Sequence, residues 1–111
     1  MMNNYAESIF DLQSELCSAM SNPVRLQIVH LLRHEPLRVS GISEALKVHQ
    51  STISRHLSIL KRVGILSATR AGTDVVYQVA SPKIVDVCEM MREVLAERES
   101  RRSEMILGSE D

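Results

Sequence analysis

Between Gln50 and Arg62 the chain carries hydroxyls, an amide, guanidinium groups, an ammonium and an imidazole at positions that fall on one side of a helix. Gln50, Ser51, Thr52, Ser54, Arg55, Ser58, Lys61 and Arg62 make up that side, with His56 near its edge. These groups suit a nucleic acid. Hydroxyls bond phosphates or base edges, Arg55 can fork onto guanine, and Gln50 suits adenine. Lys61 and Arg62, farther along, are better placed for backbone charge than for bases. His56 stays open between a DNA contact and packing beside Leu57 against the preceding helix.

Such a face needs a scaffold. Ile53, Leu57, Leu60 and Val63 lie one above another on the opposite side, Ser51 can cap this helix, and Gly64 can end it in a left-handed conformation. Val48-His49-Gln50 reads as a turn, preceded by a short helix that Ser40 or Ser43 caps and that buries Ile42, Ala45 and Leu46 up to Lys47. Together these make a helix-turn-helix. Residues 65–70 and 75–80 are β-rich runs separated by Ala71-Gly72-Thr73-Asp74, a hairpin that forms a wing directly after the polar helix.

Two helices lead in. The first runs from Tyr5 to Met20 with Ile9, Leu12, Leu16 and Ala19 as its stripe; Asn22 caps the second and Pro23 suits its first position. The second runs to about Arg33 and buries Val24, Ile28, Leu31 and Leu32. From Ser81-Pro82 a long helix returns with Ile84, Val87, Cys88, Met91, Val94 and Leu95 as its apolar stripe. The fold class is therefore mainly α with a small β-hairpin wing, in the order α-α-α-α-β-β-α. One domain spans 1–103, and the charged segment beyond Arg101 frays into a tail over 104–111. A domain this small has more apolar helical surface than its core can use, so the first and last helices point to a symmetric homodimer.

Composition narrows the class. Apolar residues are 44% of the chain but aromatics only 3%, so the core is aliphatic, as suits packed helices. The net charge is -1, yet residues 45–72 hold Lys47, Arg55, Lys61, Arg62 and Arg70 and no acid, while residues 1–20 hold Glu7, Asp11 and Glu15 and no base. The average hides a basic patch of the kind phosphate binding requires. No apolar run reaches bilayer length and the start lacks a signal peptide's regions, so the expected location is cytoplasmic and no membrane partner is expected. No catalytic triad order or phosphate-cradling loop is present, so no enzyme and no cofactor is expected. A winged helix used only for protein-protein contacts is the alternative, although such modules show apolar or acidic residues where this chain shows bases.

Three strings resemble the ArsR/SmtB repressors. Asn22-Pro23-Val24-Arg25-Leu26-Gln27-Ile28 is similar to their NPxRLxIL segment, Gln50-Ser51-Thr52-Ile53-Ser54-Arg55-His56-Leu57 to their recognition helix, and Val76-Tyr77-Gln78-Val79 to the end of their wing. The resemblance covers roughly residues 8–95. It implies a homodimeric winged helix-turn-helix repressor on a palindromic double-stranded DNA operator, released by an inducer. It further implies DNA contacts from Gln50, Ser51, Thr52, Ser54, Arg55 and His56, and places the wing, at Arg70, Gly72 and Thr73, by phosphates or the minor groove.

The inducer is not legible. Metal sensors of that family bind the ion through two cysteines at the start of the third helix, where this chain has Arg38 and Ser40. At their other site, in the last helix, the matching positions are Ser81 and Lys83, and that helix contains no His. No metal site is expected. His30 and His34 have the spacing of a chelating pair, but His30 falls in an apolar run and reads as a packed core histidine. Cys17 and Cys88 lie on or beside the stripes of the first and last helices, as a thiol switch or as small packing residues.

Overall fold

The computed structural model describes residues 8–109, with side chains over 8–106. Helix α1 (Ile9–Ala19) is followed by α2 (Pro23–Leu31), strand β1 (Leu37–Arg38), α3 (Val39–Leu46), α4 (Gln50–Arg62), β2 (Leu66–Ala71), β3 (Asp74–Val79) and α5 (Pro82–Ser109). The three strands form an antiparallel sheet in the order β1-β3-β2. Residues 5–7, where the sequence starts the first helix, lie outside the described residues, as do 110 and 111 at the end of the expected tail.

Local chemistry sets the helix ends. Ser8 Oγ accepts from the Asp11 N–H while the Asp11 carboxylate accepts from the Ser8 N–H, a reciprocal cap that starts α1. Asn22 Oδ1 accepts from the N–H groups of Val24 at 2.9 Å and Arg25 at 3.1 Å, with Pro23 at the first helical position, as the sequence predicts. The other two caps differ from expectation. Helix α3 starts at Val39 with no side-chain cap, because strand pairing of Leu37 and Arg38 delivers the backbone directly into it. Ser43 instead donates to the Val48 carbonyl beyond the left-handed residue Lys47. Helix α4 is capped by His49, not Ser51: Nδ1 of His49 accepts from the Ser51 N–H, so the helix begins two residues earlier than a serine cap would allow. Gly64, at φ +86°, closes α4 as expected.

The core is aliphatic. Ile28, Val29 and Leu32, Ile42, Ile53, Leu57 and Leu60, and Ile65 and Leu66 are buried with Ala19, and no polar or charged side chain among the described residues joins them. Two predicted core positions lie outside: Ala45 is exposed, since Val39, Ile42 and Leu46 fill the inner side of α3, and His30 is exposed beside the buried Val29. Helix α1 reaches the core only through Ala19, and its Ile9, Leu12 and Leu16 remain open to solvent. Helix α5 continues to Ser109, past the point where the sequence predicts fraying, with Glu99 bridging Arg98 and Arg102 on its surface. No helix among the described residues is long and apolar enough to cross a membrane.

Candidate nucleic-acid interface

With Ile53, Leu57 and Leu60 fully buried, the rotation of α4 is fixed and its other face must look outward. Gln50, Ser51, Ser54, Arg55, Ser58, Lys61 and Arg62 are exposed, and Thr52 and His56 are half-buried at the margins. Among the described residues Arg55, Lys61, Arg62 and Arg70 form no ion pair, which leaves their charge available to an outside anion. The N-terminus of α4, where the helix dipole is positive, carries no acid in its first turn.

The wing stands beside this face. Strands β2 and β3 are joined through Gly72 and Thr73, with Ala71 opposite Asp74 and Gly72 at φ +68° supplying the positive dihedral the tight turn needs. Arg70, Ala71, Gly72 and Thr73 are all exposed. Asp74 would bring a carboxylate toward any phosphate the wing approached. Arg38 Nε, from β1, meets it at 3.0 Å and offsets that charge while tying the turn end of the wing to the residue before α3. Neither β1 nor this ion pair has a local sequence signal.

His56 is half-buried at the edge of this face and turns one ring nitrogen toward α2. Its Nδ1 lies 3.3 Å from Arg25 Nη1 on α2, and Arg25 Nε donates to the Ala19 carbonyl. Partial burial, then Arg25 and Arg55, hold its pKa below the ordinary 6.5. Arg25 offers only donors, so this contact calls for a neutral His56 ring with its lone pair on Nδ1.

Across the molecule, α1, α2 and α5 enclose an open groove of about 990 Å³ lined by Leu16, Met20, Ile84, Val87 and Met91. Cys17 and Cys88 line the same groove and are both free thiols. Burial pushes the Cys88 thiol up, against the pull of Arg92 and with Glu89 adding to the rise. His30 stands at the groove too, its pKa held down by desolvation and by Arg33 and Arg92. Among the described residues no three His, Cys, Asp or Glu side chains come together as a metal site, so His30 and His34 gather no further ligand.

Residues 22–68 match the family described as "Bacterial regulatory protein, arsR family". The HTH-type transcriptional regulator Rv0081 of Mycobacterium tuberculosis is 30% identical over 92 residues, 82% of this chain and 81% of its own length. Its crystal structure is similar at a TM-score of 0.78, covering 87% of this chain and 98% of that one. The transcriptional repressor PagR of Bacillus anthracis is 34% identical over 82 residues, 73% of this chain and 82% of that protein. A solution structure of the homodimeric winged helix-turn-helix DNA-binding domain of Mb0332 from Mycobacterium bovis is similar at a TM-score of 0.77 with 27% identity, covering 87% of this chain and 90% of that one. Relatives matched along most of their length thus share the helix order and wing built up above, and the chain belongs to the arsR family of bacterial regulatory proteins as a winged helix-turn-helix transcriptional regulator.

Proposed function

We propose that the chain binds double-stranded DNA as a homodimer on a two-fold symmetric operator, in the cytoplasm, and represses transcription until an inducer releases it. The observation that carries this reading is the outward face of α4: exposed hydroxyls, and cations without an ion pair among the described residues, on a helix whose opposite face is sealed into the core. Gln50, Ser51, Thr52, Ser54 and Arg55 meet base edges and nearby phosphates, Lys61 and Arg62 serve the backbone, and Arg70 and Thr73 bring the wing to flanking phosphates. His56 contributes by holding α4 in place. The homodimeric state of the similar Mb0332 domain supports a dimer, and the apolar stripes of α1 and α5, exposed in the single chain, form its surface under this reading.

Fluorescence anisotropy with duplexes that the protein selects from a randomised pool tests this. Arg55→Ala weakens specific binding by about 1–3 kcal/mol if it reads a base bidentately. Lys61→Ala weakens all duplexes alike and flattens the salt slope by about one unit. Binding that is absent, or insensitive to salt, returns the chain to the class of protein-contact modules.

A thiol-based inducer is favoured by one observation, the presence of Cys17 and Cys88 on the same groove at the proposed dimer surface. Treatment with a thiol oxidant releases DNA from the wild type and not from Cys17→Ser or Cys88→Ser variants under this reading. An identical response from all three leaves both cysteines as packing residues.

A further inference from the structure

Arg25 makes contacts that no neighbouring side chain repeats. Its backbone N–H is held by Asn22 at the start of α2, its Nε donates to the carbonyl of Ala19 at the end of α1, and its Nη1 lies 3.3 Å from His56 Nδ1 on α4. The Ala19 carbonyl is among the last four of its helix and has no partner within it, so Arg25 satisfies a group that would otherwise be unpaired beside the core. Among the described residues Arg25 has no carboxylate partner. A half-buried guanidinium without an acid depends on its hydrogen bonds, and here Nε and Nη1 join three helices.

We infer that Arg25 is a positioning residue for DNA recognition, which fixes α4 through a neutral His56 to the end of α1 and so makes operator affinity depend on that link. The inference rests on the DNA-binding reading above. Arginine has only donors, so the contact requires a lone pair on His56 Nδ1 and the proton on Nε2. Adding a proton to Nδ1 removes the acceptor and sets two cations face to face. The charged groups facing His56 are Arg25 from α2 and Arg55 from its own helix. Neither offers a carboxylate to stabilise the charged ring. Because α1 also carries the proposed dimer stripe, the link joins the dimer surface to the DNA-reading helix by two hydrogen bonds through one side chain.

The test combines duplex affinity, pH and a measurement on the free protein. The probe is a fluorescein-labelled duplex carrying the sequence that the wild type selects from a randomised pool. At about pH 7.5, Arg25→Ala and His56→Leu bind this duplex about 3- to 10-fold more weakly, the loss expected for one hydrogen bond. His56→Asn, whose Oδ1 stands in for Nδ1, binds within about two-fold of the wild type. Between about pH 7.5 and about pH 5.5 the wild type loses affinity and His56→Asn does not. Wild-type affinity in both Arg25→Ala and His56→Leu, or an acid loss that persists in His56→Asn, overturns the inference. Should Arg25→Ala fail to fold, the contrast between His56→Leu and His56→Asn still decides it. In the DNA-free protein, NMR of the His56 ring gives a midpoint below 6.5 that moves up in Arg25→Lys, whose single ammonium cannot serve both acceptors. A wild type that binds no duplex defeats the DNA-binding reading alone, whereas a ring midpoint unchanged by Arg25→Lys defeats the link.

Discussion

At the level of single residues, two polar side chains define where the helices of the reading head begin. Asn22 satisfies the Val24 and Arg25 N–H groups at once, and Asn22→Ala lowers stability by about 1 kcal/mol, measurable by urea unfolding. At α4 the His49 ring accepts a single N–H, that of Ser51. The second histidine of that helix, His56, sets a pH dependence. Its folded-state pKa lies below the 6.5 of the free ring, so the unfolded chain takes up the proton more readily. Stability from this site is complete above about pH 6.5 and declines as pH falls through the folded-state value. A melting temperature that drops with acid in the wild type and drops less in His56→Asn is the expected result. The His56 contact is not legible in sequence, because Arg25 and His56 are 31 positions apart and no periodicity connects them. The His49 cap is equally hidden: Ser51 is the commoner capping residue, and only the backbone path out of α3 shows that the imidazole arrives first.

At the level of elements, the polar face of α4, its buried stripe, the Gly64 stop and the β2–β3 hairpin are all readable from residue spacing. Each depends on neighbours within one turn or one strand pair. Strand β1 is not readable, since Leu37 and Arg38 are extended only because Tyr77 and Val76 lie opposite them far along the chain. His30 departs from its expected place for a related reason. Its apolar neighbours belong to the core, but helical rotation carries it to the groove. The left-handed φ of +86° at Gly64 gives a direct test of the junction between α4 and the wing. No atom stands within 4 Å of an added Cβ there, so Gly64→Ala carries only the backbone cost, about 1 kcal/mol in chemical denaturation. A much larger loss indicates that the junction is packed more tightly than the structure describes.

At the level of the whole molecule, apolar surface is left over. Phe10 is 75% exposed on α1, and Val87 and Met91 are each 61% exposed on α5. Val87 and Met91 also line the groove that α1 and α5 border. Residue spacing reveals the excess of apolar stripe over core but not the shape it takes. Leu16→Asp combined with Met91→Asp yields a monomer in sedimentation analysis. The same variant loses most of its affinity for a two-half-site duplex while retaining weak, salt-sensitive binding, because only paired reading helices span grooves about 34 Å apart. A dimeric double variant places the dimer surface elsewhere.

The chain has no tryptophan, and Tyr77 sits half-buried at the middle of β3, opposite Leu37 on one side and Ala68 on the other. In a Tyr5→Phe background its phenol is the sole intrinsic fluorophore of consequence. The protein thus supplies its own optical gauge of whether the three-stranded sheet stays seated when a duplex docks, with no dye attached to the surface under study.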